Sequence, residues 1–366
     1  MERIFPEIIT SDKELAKVAA KIQEGRRLVT EDGLAILNTS DLLSLGKLGD
    51  QAKWRKTADR VFFSANKHIN YSNICRMKCG FCKFSKDRGE PGAYEMSIAE
   101  ILDQIGPEVR EVHLVGGLHP DWPFEHYLDM VKEIKKSRPG VSIKGFTAIE
   151  ISHFCSLSKL SAKQVLEALK QAGLTSLPGG GAENFSPRVR KILCPNKPSG
   201  KIWLDVHRVA HRLGIRSNAT MLYGHAETPE ERISHLSALR KLQDQTGGFL
   251  CFVPLPFQDW EGAGYRRPDP CEDLRMIALS RLFLDNFPHI KAYWVMLGLE
   301  TATMSLCYGA DDIDGTVGRE RIAHAAGAET PQGIDRYLIR FIVAQAGKKA
   351  IERDGLYNLY KQGNNA

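Results

Sequence analysis

The chain has 366 residues, 50 Lys plus Arg against 44 Asp plus Glu, and 43% apolar content. At about 150 residues per domain the length suggests two domains, although one barrel with extensions also fits. A charged content of 26% with this apolar share excludes a disordered or collagen-like chain, and no run approaches the ~18 consecutive apolar residues of a membrane span.

The opening MERIFPEIITSDKEL carries acids early and lacks an apolar core with a small-residue cleavage site. No secretory signal is expected, and the chain reads as a soluble cytoplasmic protein. The net charge of +6 is mild. Lys and Arg are scattered among acids instead of forming the basic stripe of a nucleic-acid binder. Neither nucleic acid nor a membrane is an expected partner.

Residues 1–59 read as an N-terminal helical extension, with Leu15, Val18, Ala19 and Ile22 at helical spacing behind the capping residue Asp12. From Arg60 short β-rich runs alternate with longer amphipathic segments. Strands are expected at 61–64, 111–115, 142–147, 174–176, 217–222, 250–253 and 292–296. Helices are expected between them at 97–105, 124–137, 161–172, 202–213, 229–245 and 271–286. Such βαβα alternation argues for an α/β fold with a parallel sheet and helices outside it. Six or more units over about 240 residues favour a partly or fully closed (β/α) barrel at 60–309. Residues 310–366 read as a C-terminal extension, a loop followed by a helix at 333–345.

Eight cysteines are present, and three of them fall within eight residues, in Asn73-Ile-Cys75-Arg-Met-Lys-Cys79-Gly-Phe-Cys82. In a cytoplasmic chain a disulfide framework is not expected. The other five, Cys155, Cys194, Cys251, Cys271 and Cys307, sit mostly in apolar company and read as core filler. The C-x3-C-x2-C run follows the first expected strand, so its loop places three thiols around one centre. An iron–sulfur cluster closed by four Cys has no open iron; three ligands leave one free. A zinc site completed by His68 is the other metal reading.

With an aromatic residue, Phe81, immediately before the third Cys, this run resembles the signature of the radical S-adenosylmethionine superfamily. The resemblance implies a 4Fe-4S cluster on Cys75, Cys79 and Cys82, its fourth iron open to S-adenosylmethionine, and Phe81 against the adenine. It also agrees with the expected barrel. HINYSNICRMKCGFCKFS, EVHLVGGLHPDWPFEHYLDMVKEIK, KGFTAIEI, LPGGGAENFSPRVRKILCPNK and SNATMLYGHAETPEERISHL carry the likeness further. Within the superfamily they resemble the aminodeoxyfutalosine synthases of menaquinone synthesis, over residues 61–327. The pathway's later cyclase and the deazaflavin synthases share the cysteine loop and the GGGAE turn, but less of VGGLHPD and SNATMLYGH. Residues 298–304 match none of these.

Other motifs lie where barrel active sites are built, at the C-terminal ends of expected strands. Gly116-Gly117 lets backbone approach a ligand closely, and the superfamily resemblance places this pair at the cofactor's methionine group. In Pro178-Gly-Gly-Gly-Ala-Glu183 no Lys-Ser/Thr follows as a P-loop requires. It reads as a cofactor-side turn, with Glu183 set to accept from ribose hydroxyls. Thr147 and Glu150 face either the barrel mouth or the surface. His225 is a candidate donor or acid/base near neutral pH, His119 is a second such candidate, and Asn218 and Thr220 share its strand. Arg190 and Lys197 are candidate partners for an anionic substrate. Glu230, Glu231, Arg232 and His235 read as helix-surface ion pairing.

The resemblance implies a transferase that adds the 5′-deoxyadenosyl radical to 3-[(1-carboxyvinyl)oxy]benzoate, with rearrangement and loss of bicarbonate. The products would be 6-amino-6-deoxyfutalosine and methionine, and S-adenosylmethionine would be consumed as a co-substrate. His225, Thr147 and Arg190 are the expected groups for the substrate carboxylates. Phe81, Gly116, Gly117 and Glu183 are expected to hold the cofactor. An electron donor such as flavodoxin or ferredoxin is implied, and a homodimer is compatible with the resemblance. The alternatives are the pathway's hydrogen-abstracting cyclase and a non-catalytic metal-cluster module that binds RNA.

Overall fold

Ten short strands run parallel in one sheet of the computed structural model, which describes residues 7–258 and 264–360. They are β1 (Arg60–Phe63), β2 (Asn66–Ile69), β3 (Glu111–Leu114), β4 (Ser142–Gly145) and β5 (Ser176–Leu177), followed by β6 (Arg216–Tyr223), β7 (Phe249–Pro256), β8 (His289–Ala292), β9 (Asp312–Ile313) and β10 (Lys349–Glu352). The order across the sheet is β10-β1-β9-β8-β7-β6-β5-β4-β3-β2. The outermost residues of both expected extensions, 1–6 and 361–366, lie outside the described residues.

β1 and β2 are two halves of one extended run, parted only by Ser64 and Ala65, yet they stand near opposite ends of that order. The sheet therefore has to curl until its ends meet. Thr316 Oγ1 donates to Asn66 O at 2.7 Å, and His68 N–H donates to Val317 O at 2.8 Å, stitching the segment after β9 to β2. The result is a TIM-type barrel with helices outside it.

Those helices begin where local chemistry dictates. Thr228 caps the helix Pro229–Thr246, with Glu231 returning a hydrogen bond to the cap backbone and Pro229 at the first helical position. Ser97 with Glu100 and Ser161 with Gln164 close two further capping boxes. No described helix is long and apolar enough to cross a membrane.

Several elements differ from the sequence expectation. The strand expected at 292–296 lies earlier, at His289–Ala292, and Trp294–Leu297 turns into a short helix. β2 was not expected at all, and neither were the helices Ala148–Ser158 and Pro187–Leu193. The segment after Gly309 contributes β9 and β10 to the sheet. Arg353, at the end of β10, is paired with Asp312 of β9 at 2.6 Å, and both are buried. Gly355 then passes so close to the barrel floor that a Cβ would stand 2.8 Å from Glu111 Oε2. The C-terminal segment thus closes the end opposite the cysteine loop.

Candidate active site

A cavity of about 330 Å³ occupies the barrel and opens toward the C-terminal ends of the strands. Residues line it at every second position: Glu111 and His113 on β3 with Val115 just beyond its end, then Asn218, Thr220 and Leu222 on β6. Its upper wall is the loop that carries Cys75, Cys79 and Cys82, all three of which reach the cavity together with Phe81.

Backbone bonds fold this loop. Cys75 N–H donates to Lys86 O at 3.1 Å, Arg76 N–H to Leu118 O at 3.1 Å, and Cys82 N–H to Cys79 O at 3.0 Å. Gly117 is glycine for a steric reason, since a Cβ there would lie 2.3 Å from the Ile74 carbonyl oxygen. Gly116 lies equally tight against the Tyr71 ring. The glycine pair therefore lets the end of β3 press against the cysteine loop, and it lines the cavity as well. Under the loop, Cys79 joins Val189, Leu193 and Cys194 in a small apolar cluster.

Burial pushes the Cys79 thiol up to about 12 and raises Cys82 as well, with Lys197 opposing both. Thiols in this state become ligands once a cation replaces their protons. Among the described residues no three His, Cys, Asp or Glu side chains converge as one metal ion would require. A multi-iron cluster asks for one thiolate per iron, so three thiols spread along a cavity wall suit it. Cys194 does not line the cavity, so the loop offers three thiols to it and no fourth.

Lys197 lies with its Nζ 5.4 Å from the Phe81 ring centroid and pairs with Glu183. Glu183 follows three glycines in a left-handed conformation, φ +45°, and its carboxyl is held below its ordinary range by Lys197 against burial. The turn beneath it is fixed by Thr220 Oγ1, which donates to Gly179 O at 2.6 Å. Glu150 is fully enclosed. It accepts from Tyr71 Oη at 2.6 Å, Thr147 N–H at 2.6 Å and Gly116 N–H at 3.2 Å, and burial raises its carboxyl despite these bonds.

Residues 69–239 match the family described as the Radical SAM superfamily, and residues 246–365 match the CofH/MqnC C-terminal region. An aminodeoxyfutalosine synthase of Thermus thermophilus is 45% identical over 94% of this chain and 96% of its own length. One from Streptomyces coelicolor is 39% identical over 93% of each chain. The chain belongs to the aminodeoxyfutalosine synthase family of radical SAM enzymes. A 5-amino-6-(D-ribitylamino)uracil–L-tyrosine 4-hydroxyphenyl transferase of Methanopyrus kandleri is 37% identical over 94% of this chain and 95% of its own. Among solved structures, methylornithine synthase superposes with a TM-score of 0.73 at 19% identity, covering 91% of this chain and 97% of that one. That likeness shows the fold alone.

Membership in this family makes the chain a transferase-type enzyme and implies a 4Fe-4S cluster and S-adenosylmethionine. Against that background the expected site residues divide into two groups. Phe81, Gly116, Gly117, Thr147 and Glu183 line the cavity beside the three cysteines, and so do Glu150, Lys197, Asn218 and Thr220. His225, Arg190 and His119 do not line it. The His225 side chain is fully enclosed, with Nδ1 2.8 Å from Glu227 Oε2 and Nε2 3.0 Å from Leu222 O. Arg190 spends its guanidinium on the carbonyls of Ala182, Asn184 and Pro198. His119 stacks on Trp122 and pairs with Glu95 at 2.6 Å. His235, expected on a helix surface, is buried against Phe185, with its Nε2 3.0 Å from Thr220 O.

Sequence reasoning missed the cavity floor, where it singled out His68 alone, as a zinc ligand. There His68, His113, Lys144, Lys291 and Asp314 face inward from β2, β3, β4, β8 and the residue after β9. The available signal was polar residues at alternate positions of strands that a barrel encloses.

Proposed function

We propose that this protein joins the 5′-deoxyadenosyl group of S-adenosylmethionine to 3-[(1-carboxyvinyl)oxy]benzoate. Water enters, bicarbonate and methionine leave, and 6-amino-6-deoxyfutalosine is formed in menaquinone synthesis in the cytoplasm. The observation that carries this reading is that the three loop cysteines, Phe81, the glycine pair and Glu183 line one cavity, in a chain 45% identical to an aminodeoxyfutalosine synthase. When bound, the cluster on Cys75, Cys79 and Cys82 supplies the electron that splits the cofactor and yields the adding radical.

The chain's own residues hold and shield. Phe81 offers a flat face for adenine. Glu183 and its partner Lys197 mark the ribose side, and the Gly116–Gly117 backbone is free to approach the methionine end. Thr147, the cap of the helix Ala148–Ser158, is the one of the three expected substrate groups that lines the cavity. Arg190 and His225 act as positioning residues, Arg190 for the Pro178–Glu183 turn and His225 for the turn after β6. Leu222, Val253, Leu255 and Phe257 make an apolar wall, which keeps water and stray hydrogen donors from the reacting carbons. Holding the alkene beside C5′ turns an encounter of two molecules into a reaction within one complex. A small one-electron carrier such as flavodoxin or ferredoxin is the proposed reductant.

The test is anaerobic incubation of the cluster-loaded, reduced protein with S-adenosylmethionine and the enolpyruvyl benzoate, followed by mass spectrometry. An adduct that retains the adenosyl unit, lost when Cys75, Cys79 or Cys82 is replaced by Ala, is expected. Release of 5′-deoxyadenosine alone would point to a different substrate and to hydrogen abstraction.

A further inference from the structure

The cavity floor contains a histidine whose outer nitrogen has no partner among the described residues. His113 lies at the third position of β3, in register with His68 on β2 and with Lys144 on β4. Residues in register on a parallel sheet point to the same face, so these three stand side by side inside the barrel. His113 Nδ1 is 3.3 Å from His68 Nε2, while His113 Nε2 is buried without any hydrogen-bond partner. A buried polar atom left in this way costs on the order of 1–3 kcal/mol unless something occupies it.

Proton counting settles which hydrogen it carries. His68 Nε2 faces two atoms, His113 Nδ1 and, at 3.5 Å, Asp314 Oδ2. A lone pair turned toward that carboxylate would be repelled, so His68 carries its hydrogen on Nε2. The nitrogen opposite, His113 Nδ1, must then present a lone pair, because two N–H groups cannot face each other. Burial keeps His113 neutral by lowering its pKa well below the ordinary value. Its one ring hydrogen therefore sits on Nε2, at the wall of the cavity that the His113 ring lines.

Lys144 supplies charge beside this donor. It lines the cavity and spends one of its three N–H bonds on Glu111 Oε1, at 2.9 Å. The surrounding floor is balanced, with Glu111, Asp312 and Asp314 against Lys144, Lys291 and Arg353. A neutral donor and a partly used ammonium thus stand in register on neighbouring strands that line the cavity.

We propose that His113 Nε2–H and the Lys144 ammonium form a carboxylate subsite that takes the carboxylate on the aromatic ring of the substrate, an assignment that rests on the substrate reading above. The alkene has to lie at the mouth, beside the cysteine loop. The carboxyl group remote from it therefore reaches deepest. His68 and Asp314 are positioning residues that fix the His113 tautomer.

Equilibrium dialysis of the cluster-loaded, unreduced protein with S-adenosylmethionine and the enolpyruvyl benzoate reads binding without turnover. His113→Asn withdraws the donor from the cavity and is expected to weaken binding about 10- to 100-fold, the loss of one hydrogen bond to a charged group. His113→Gln returns an N–H to the Nε2 position and should bind within about three-fold of the parent. An analogue without the ring carboxyl should bind parent and His113→Asn equally. Unchanged benzoate affinity in His113→Asn, in a protein whose parent makes the adduct, would overturn the subsite and leave the substrate reading standing. A parent that neither binds the benzoate nor makes the adduct would overturn both. Should His113→Asn load less iron than the parent, the comparison passes to His113→Gln. That variant and the parent must each bind the analogue at least about ten-fold more weakly than the benzoate, and equal affinity for the two ligands would overturn the subsite.

Discussion

Lys197 stands over Phe81, its Nζ 5.4 Å from the ring centroid, while the same ammonium is paired with Glu183. One buried cation thus joins the cysteine loop, the triple-glycine turn and the segment after the helix Pro187–Leu193. A desolvated cation over an aromatic face contributes about 2 kcal/mol or more, and the ion pair adds to it only while both partners remain.

Replacing Lys197 by Met keeps the apolar stem as far as Cε, removes the ammonium and strands Glu183 as an unpaired buried carboxylate. A loss of about 3–5 kcal/mol is expected. Denaturant unfolding of the iron-free protein measures it, and a melting curve identical to the parent's would show that the pair contributes nothing.

Gly117→Ala places a Cβ 2.3 Å from the carbonyl oxygen of Ile74, the residue immediately before Cys75. Backbone cannot rotate away as a side chain can, so the loop must shift, at about 1–3 kcal/mol. Iron retained after anaerobic reconstitution should fall well below the parent's. Full loading would show that the glycine is there for the ligand alone.

His225 and Glu227 form an enclosed pair at 2.8 Å. His225→Gln should destabilise the fold by about 1–3 kcal/mol and leave the benzoate KM of the folded fraction unchanged. A raised KM with unaltered stability would place His225 on the substrate instead.

Acid should unfold the protein through its enclosed carboxylates. Burial alone would raise Glu111, Glu227 and Asp311, but each is held at about 2: by Lys144 and Arg353, by His225 and Arg232, and by Arg281 and His289, respectively. Folded values below the unfolded ones give stability that is present above the ordinary carboxyl range and lost as pH falls toward 2. Asp273 works the other way, raised to about 6 by burial, so its ionisation costs stability as pH rises from about 4 to 6. The melting temperature should therefore drop steeply below pH about 4.5, by the equivalent of a few kcal/mol. A flat profile from pH 5 to pH 3 would contradict these ion pairs.

The alternation of strand and helix was readable wherever a strand carried a run of apolar residues, as in β7. β2 was not, because its Asn-Lys-His-Ile sequence turns His68 toward a polar cavity and so shows no apolar run. The helix Ala148–Ser158 is buried over most of its first two turns and lacks the amphipathic stripe that marks a surface helix. β9 and β10 are too short or too polar to stand out: β9 joins the sheet between β1 and β8, and β10 on the other side of β1. The cysteine loop was legible because its chemistry is local, three thiols within eight residues. His225 and Arg190 looked like ligand groups because sequence shows charge but not its partner. Glu227 lies two residues from His225, and the carbonyls that occupy Arg190 belong to the Pro178–Glu183 turn, the residue after it and the segment at Pro198. His113 sat within an expected strand, and only the register with His68 and Lys144 sets it apart from a core position.

The most direct measurement follows the carbon that forms the new bond. S-adenosylmethionine carrying two deuterium atoms at C5′ is supplied with the enolpyruvyl benzoate to the reduced, cluster-loaded protein. Addition of the 5′-deoxyadenosyl radical predicts a single adduct in which both deuterium atoms remain on the carbon now bonded to the former alkene. Both deuterium atoms recovered instead in free 5′-deoxyadenosine, with a hydrogen taken from the benzoate and no adduct formed, would contradict the account.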